Sequence, residues 1–506
     1  MAWRLQLLLR GLGQRKERLA TWAGLFNSKV VQGHRVRLAS RSWAAAALSR
    51  QKFPTTPPAF PSRPLGAKVH VILASLPRCD SSSNKNIKFA FIDPTTMAPS
   101  HKPVRRALLL LPPAPSPPSY AALKAAYNSP LFTVLKELAR SPRKSQESTL
   151  LEIALPCPHL YGHLDDPRGL HYATTQQLVA DLYKFICITA SREAIDTEDS
   201  EGVDARVVLV AYPRDGQLTK PLPDSTPEQE LQGPAIDIHT LARSSRSWDT
   251  VYSVESEEGE RVLKTFLSLS KTQVPVSKVR GGIVSVEAPE PVSSVDKTDK
   301  SINHLSVAVG GTFDHLHIGH KLLLTMFAFM LGRRQSTPEA TPSVLTVGIT
   351  GDALLVNKKF AEHLESWKER QQSTHDFLSS LLYFGPPDDE RIHVEEIKEP
   401  GPNGHAVHVS YPFGLTIKYV EIWDPFGPTI TDKDITALVL SLETRSGGAA
   451  VNSKRSEQGW GPLEVFEVAV LDASEEDSID ETFQSKLSST EIRRKRSERV
   501  QSRSKA

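Results

Sequence analysis

Short apolar runs alternate with helix-length segments in two stretches of this chain, and that alternation points to α/β folds with parallel sheets. In the first stretch, RALLLLP (106–112), STLLEIAL (148–155) and ARVVLVAY (205–212) are continuous apolar runs of strand length. PPSYAALKAAY and PLFTVLKELA, each with Pro near its start, predict two helices, and TTQQLVADLYKFICITASREA (174–194) predicts an amphipathic one. In the second stretch HLSVAVGG, SVLTVGIT (343–350), RIHVEEI and TIKYVEIW read as strands. HKLLLTMFAFMLG reads as a helix apolar nearly all round, hence buried, and ESWKERQQSTHDFLSSLLYF as a second helix. ITALVLSLE and PLEVFEVAVLD close the pattern. Such a βαβαβ order favours a Rossmann-like parallel sheet with ligands at the strand carboxyl ends.

The expected organisation has five parts. Residues 1–103 are a leader and Pro-rich linker, largely disordered, with FPTTPPAFPSRP at 53–64. Residues 104–283 form an N-terminal α/β region to which the sequence gives no role. Its nearest approach to a chemical constellation, Asp165-Asp166 beside His163, reads as a solvated loop. Residues 284–303 are a linker, 304–496 a second α/β domain, and 497–506 a basic tail after a helix end. The acidic stretch 473–482 reads as a flexible loop.

Charge is unevenly spread. The first 52 residues carry eleven Lys/Arg against one acid, Glu17, and residues 491–506 seven against two, so the net +3 leaves the body between them at −12. An acidic body argues against a broad nucleic-acid surface and places any bound anion in a local pocket. Cys79, Cys157 and Cys187 are far apart, which excludes a disulfide framework or a Cys-based zinc site and fits a reducing compartment. No run of about 18 apolar residues suggests a membrane span. The expected location is the cytoplasm. The Arg-rich, acid-poor leader resembles a mitochondrial transit peptide and makes the mitochondrion the alternative, with Met97 as a second candidate start.

Residues 309–324, VGGTFDHLHIGHKLLL, set His315, His317 and His320 between a strand end and a helix start. Gly310 and Gly311 let the backbone turn tightly and approach a ligand. A helix N-terminus offers free N–H groups to phosphate, and imidazoles add directional donors. A three-histidine metal site and plain loop histidines are the alternatives. No carboxylate or cysteine pattern supports the metal, so no protein-held metal is expected.

TFDHLHIGHKLL resembles the T-x₄-H-x-G-H signature of the adenylyl/cytidylyl-transferase superfamily, whose second half is a variant of the HIGH motif. The form GGTFDHLHxGHKLLL is similar to phosphopantetheine adenylyltransferases of the archaeal and eukaryotic type. VGITGDALLVNKK (347–359), WDPFGPT (423–429), LVLSLETRSGG (438–448), VNSKR (451–455) and LSSTEIR (487–493) follow that family in order, over about 304–496. The region near 104–280 resembles the amino-terminal part of fungal, monofunctional members.

The resemblance implies transfer of AMP from ATP to 4′-phosphopantetheine, giving dephospho-CoA and pyrophosphate. His320 and His317 would contact ATP phosphates, with His320 the transition-state donor. Thr312 would orient the phosphates beside Gly310 and Gly311, and Gly319 would keep the gap between the histidines clear. Lys358 would engage the reacting phosphates and the substrate, with Lys359 as the neighbouring candidate. Ser488, Ser489, Thr490 and Arg493 would hold the β- and γ-phosphates, and Arg455 and Asn452 match the family's N-x-x-R element. Asp424, Gly427 and Thr429 lie in a shared motif without assigned roles. Arg445 stands one position away from the arginine many relatives place before Gly447-Gly448. Mg²⁺ is expected with ATP, held largely by phosphates and water. No G-x-x-x-x-G-K-[ST] occurs, so the chain is expected to lack the dephospho-CoA kinase step fused to this domain in animals. Other coenzyme A-biosynthesis enzymes are candidate partners. The rival readings are another adenylyl- or cytidylyltransferase of this fold, and an inactive scaffold of a coenzyme A-synthesising complex.

Overall fold

The computed structural model describes residues 104–141, 148–197, 202–219, 231–271, 273–282, 302–333, 341–471, 483 and 486–505. The leader 1–103, the acidic stretch 473–482 and all but the last two residues of the 284–303 linker lie outside the described residues.

Strands β1 (Val104–Leu110), β2 (Ser148–Pro156), β3 (Val203–Ala211), β4 (Ala235–Asp237), β5 (Thr250–Glu255) and β6 (Val276–Arg280) make an all-parallel sheet in the order β4-β3-β2-β1-β5-β6. Helices α1 (Tyr120–Arg140) and α2 (Tyr172–Arg192) cover one face; α3 (Ile238–Arg243) and α4 (Glu257–Leu269) cover the other. The apolar run of β1 explains why both faces need cover. Ala107 and Leu109 enter the core shared with α1 and α2, while Leu108 and Leu110 pack with Ile238, Leu241, Val262 and Phe266. At the carboxyl edge Pro113, Tyr161, Arg214 and Arg261 line part of a cleft of about 620 Å³.

The two helices expected from PPSYAALKAAY and PLFTVLKELA are one, α1, with Pro130 inside it. Pro130 removes a helical hydrogen bond. Leu123, Ala126, Tyr127, Leu131, Val134, Leu135 and Leu138 form one buried stripe across it, and that packing overrides the local break.

The second sheet has β7 (Ser306–Gly311), β8 (Ser343–Thr350), β9 (His393–Lys398), β10 (His405–Ser410), β11 (Leu415–Ile422), β12 (Ala437–Ser441) and β13 (Glu464–Val468), in the order β13-β12-β7-β8-β11-β10-β9. Its helices are α5 (Ile318–Phe329), α6 (Trp367–Leu382), α7 (Arg445–Glu457) and α8 (Ser489–Lys505). Five strands are parallel, but β10 runs antiparallel to both β9 and β11. That hairpin adds an antiparallel edge to the parallel sheet expected. In β10 only Ala406 and Val409 are buried, and the other four positions are half-buried. From β7 the chain moves outward to β8 and β11, then returns to place β12 on the other side of β7. The switch point therefore lies at the carboxyl ends of β7 and β12.

Helix α8 runs on to Lys505 through residues expected to be tail; Arg494 pairs with Glu491 and Glu498 at helical spacing. Helix α2 of the first sheet packs on α5 of the second, and one buried cluster runs through both. Among the described residues no helix is long and apolar enough to cross a membrane.

Candidate functional site

Strand β7 ends at Gly311, and the chain reaches α5 through six residues, Thr312 to His317. Gly311 is required here, because a Cβ would lie 2.9 Å from the Phe313 ring. Gly310 is exposed with open space around it and pairs with Gly348 of β8, which is buried against Ile422. Phe313 and His315 adopt positive φ of 51° and 47°, costly for side chains of their size. Both are fully buried, and their partners hold the turn in that shape.

His315 is the anchor rather than a reagent. Its N–H donates to Glu365 Oε2 (2.9 Å), its Nδ1 lies 3.1 Å from Glu365 Oε1, and its Nε2 lies 2.8 Å from the His363 carbonyl. Burial works against a charged ring, yet Glu365 and Asp314 overcome it and raise the His315 pKa.

His317 caps α5. Its Nδ1 accepts the His320 N–H at 3.4 Å, so the neutral ring carries its proton on Nε2. The His320 ring stacks on His317 at 3.8 Å and meets Phe313 edge-on. A Cβ at Gly319 would stand 3.3 Å from the His317 ring, so glycine lets the imidazole lie against the helix. His320 Nδ1 is buried and makes no hydrogen bond. Burial pushes His320 down to about 4 and, with His320, Lys321 and His315 nearby, pushes His317 well below its ordinary value. Two neutral imidazoles thus sit over a helix N-terminus at the switch point.

Unfolded imidazoles take up protons near pH 6.5, whereas His317 and His320 resist doing so in the fold. Their contribution is present above pH 6.5 and is lost as pH falls toward 4. The urea midpoint should drop on acidification across that window, and the drop should shrink in a His317→Gln/His320→Gln variant. His315 acts oppositely: its contribution is present below pH 6.5 and is lost as pH rises through its raised pKa.

Two further segments converge on the turn. Ser489 Oγ donates to the Asp314 carbonyl (2.8 Å), and Arg493 forms a buried ion pair with the Asp314 carboxylate. Arg493 Nε also donates to the Lys359 carbonyl (3.1 Å) and Nη2 to Thr490 Oγ1 (3.2 Å). Ser488 lies just before α8, its hydroxyl 3.5 Å from the Glu491 N–H. The structure therefore brings Gly310, Gly311, Thr312, His317, Gly319, His320, the Lys358-Lys359 turn, Ser488, Ser489, Thr490 and Arg493 to one region. The side chains of Lys358 and Lys359 are exposed there.

Arg455 and Asn452 stand apart. Arg455 is buried with its five N–H groups on the carbonyls of Gly461, Thr429, Asp432, Lys433 and Ile435. Asn452 makes a two-way amide pair with the Leu463 backbone. These replace the expected phosphate and substrate contacts, because every guanidinium donor is already spent on backbone. The shared motif at 423–429 is the loop Arg455 fastens. Asp424 accepts from the Phe426 and Gly427 N–H groups, and Gly427 has φ of 50°. Arg445 is exposed and forks onto Glu467.

The sequence reading missed Arg370, Asp314 and Glu365. Arg370 is fully buried and donates to the carbonyls of Thr312 (2.7 Å), Thr350 (2.8 Å) and Glu365 (3.0 Å) and to Asp352 (2.6 Å). It ties the ends of β7 and β8 to α6. Its signal is positional: an arginine three residues after Trp367, on the stripe with Thr374 and Phe377 that faces the core.

The fold and site define a doubly wound α/β protein with a histidine-capped helix at the switch point of its second sheet. A model described as a domain of unknown function (DUF8446) matches residues 97–285. An uncharacterized protein of Schizosaccharomyces pombe is 31% identical over 256 residues, covering 50% of this chain and 66% of its own length. A Saccharomyces cerevisiae phosphopantetheine adenylyltransferase is 38% identical over 187 residues, covering 37% and 47%. One from Pyrobaculum aerophilum is 30% identical over 191 residues, covering 37% of this chain and 90% of its own. The match thus spans just under two thirds of the first relative and about half of the second. The chain belongs to the phosphopantetheine adenylyltransferase family.

Proposed function

We propose that this protein transfers the adenylyl group of ATP to the phosphate of 4′-phosphopantetheine, forming dephospho-CoA and pyrophosphate. The observation that carries this reading is the stacked His317–His320 pair over the α5 N-terminus, in a chain whose relatives bear that enzyme's name. The nucleophile is a phosphate oxygen, anionic at neutral pH, so no strong general base is required. Its bond to the α-phosphorus forms as the α–β bridging P–O bond breaks, and pyrophosphate leaves with the electron pair. His320 and the His317 Nε2–H donate to the phosphoryl oxygens where charge accumulates. Ser488, Thr490 and the first N–H groups of α8 receive the departing phosphates. Lys358, exposed in the turn whose Lys359 carbonyl Arg493 holds, reaches the incoming phosphate. Arg493 holds the turn through Asp314 and so positions the others.

Mg²⁺ enters with ATP in this reading. The nearest carboxylates suit it poorly as direct ligands, since Asp314 is engaged by Arg493 and Glu365 by His315. The ion would be held by phosphates and water, and no step is assigned to it.

The test is pyrophosphate release by the full chain with 4′-phosphopantetheine and either ATP or CTP. Release with ATP is the expected result. Release only with CTP would make it a cytidylyltransferase, and none with either would favour an inactive scaffold.

A further inference from the structure

The loop between β2 and α2 brings together three groups that the proposed reaction does not use. Asp166 Oδ2 lies 2.8 Å from His163 Nδ1 and 3.6 Å from His171 Nε2. All three candidate donor atoms lie within 4.8 Å of one another. Tetrahedral coordination with bonds of about 2.0–2.1 Å sets its donors about 3.3 Å apart, so these atoms stand near the corners of such a site. His171 Nε2 is buried and makes no hydrogen bond. It faces the carboxylate across a gap too wide for a hydrogen bond and suited to an ion.

The loop is built to hold that arrangement. The Cys157 N–H is bonded to the Val210 carbonyl (2.7 Å) at its start, and the Asp166 N–H to the His163 carbonyl (3.2 Å) at its turn. His171 is the residue before α2, whose position the core fixes. His159 is close by but has its Nε2 on Thr175 (2.9 Å), which leaves it outside the donor set. Arg168 and Arg333 bring positive charge nearby, and Asp165 faces Arg333 at 4.0 Å. Asp166 feels the Arg168 charge but is the carboxylate that meets both histidines.

We propose that His163, Asp166 and His171 bind a divalent transition-metal ion of the zinc class, with a fourth position for water. Two imidazoles and one carboxylate suit such an ion better than calcium or magnesium, which take oxygen donors. The ion closes the loop onto the first turn of α2. Tyr172, the next residue, donates its hydroxyl to the Glu467 carbonyl and sets its ring at a tilt against Phe466 of the second sheet. Metal binding therefore braces the seam between the two sheets.

The test uses the full chain, stripped with chelator and titrated with Zn²⁺ by calorimetry and with Co²⁺ by visible absorption. The expected result is one equivalent at this loop, a tetrahedral Co²⁺ spectrum and a rise in Tm. His163→Ala and Asp166→Asn, at an exposed and a half-buried position, should keep the fold by circular dichroism and weaken binding by about 10²-fold. Wild-type protein that takes up no stoichiometric metal would overturn the proposal. So would unchanged affinity in a folded His163→Ala/Asp166→Asn variant, or loss of binding on Glu365→Gln in place of the loop changes. None of these readouts involves catalysis, so the result stands or falls apart from the proposed reaction.

Discussion

Replacing His320 with Ala is expected to lower turnover by about 10²–10³, the usual effect of removing one donor to a developing oxyanion, or about 2.7–4 kcal/mol. The size follows from the site. His320 is neutral, half-buried, stacked on His317 and edge-on to Phe313, and has an Nδ1 to which the protein gives no hydrogen bond. Such a ring is already held in place by its neighbours before a phosphoryl oxygen meets it. The fold should survive, because Ala is the best helix former and His320 lies in the first turn of α5. Steady-state pyrophosphate release and circular dichroism on the same preparation check both halves. Wild-type turnover in the variant would remove His320 from the chemistry. His315→Ala should behave differently, losing stability along with activity, because His315 bonds to Glu365 and the His363 carbonyl and faces no open space.

The contrast between those two histidines shows what the sequence can convey. Periodicity placed the strands of both sheets and helix α5, because continuous apolar runs bounded by glycine or proline have few other uses. Spacing placed His317 and His320 at the helix start, since Gly-Gly followed by a polar cluster and an apolar helix is a local signal. It could not separate a histidine locked into the fold from one whose half-buried ring lies over the helix N-terminus. That difference lies in Glu365 and His363, about fifty residues onward. Arg455 makes the same point: four of the carbonyls around it come from the loop before β12 and one, Gly461, from beyond α7, and they meet only once β12 and α7 pack. The His163 loop read as solvated because His171 sits eight residues from it along the chain, and only the turn brings it to Asp166.

The first domain left no functional motif in the sequence, yet it reaches the site helix through Lys321, and this gives the second large prediction. Lys321 directly follows His320 and is buried. Its Nζ donates to Asp204 Oδ1 (2.8 Å) and the Thr197 carbonyl (3.0 Å), both in the first domain. Burial would raise the Asp204 pKa, but Arg206 and Lys321 hold it well below the usual carboxylate range. Asp204→Ala leaves the Lys321 ammonium buried with one carbonyl, and it should cost about 1.5–3 kcal/mol, the range for a hydrogen bond to a charged group. Full burial would argue for more, but Asp204 is 33% exposed and water takes part of the load. Lys321→Met should cost less, because it removes the buried charge outright, while Asp204 keeps Arg206 at 2.6 Å. Urea unfolding measures both, and the asymmetry is the diagnostic. The same change should reach catalysis, since Lys321 sits in the turn of α5 that carries His320. Turnover in Asp204→Ala should fall, with KM for ATP rising, under conditions where the protein stays folded. Equal costs for the two variants would mean that the pair is only surface electrostatics. Unaltered kinetics in a destabilised Asp204→Ala would mean that the first domain supports the second without setting the position of its histidines.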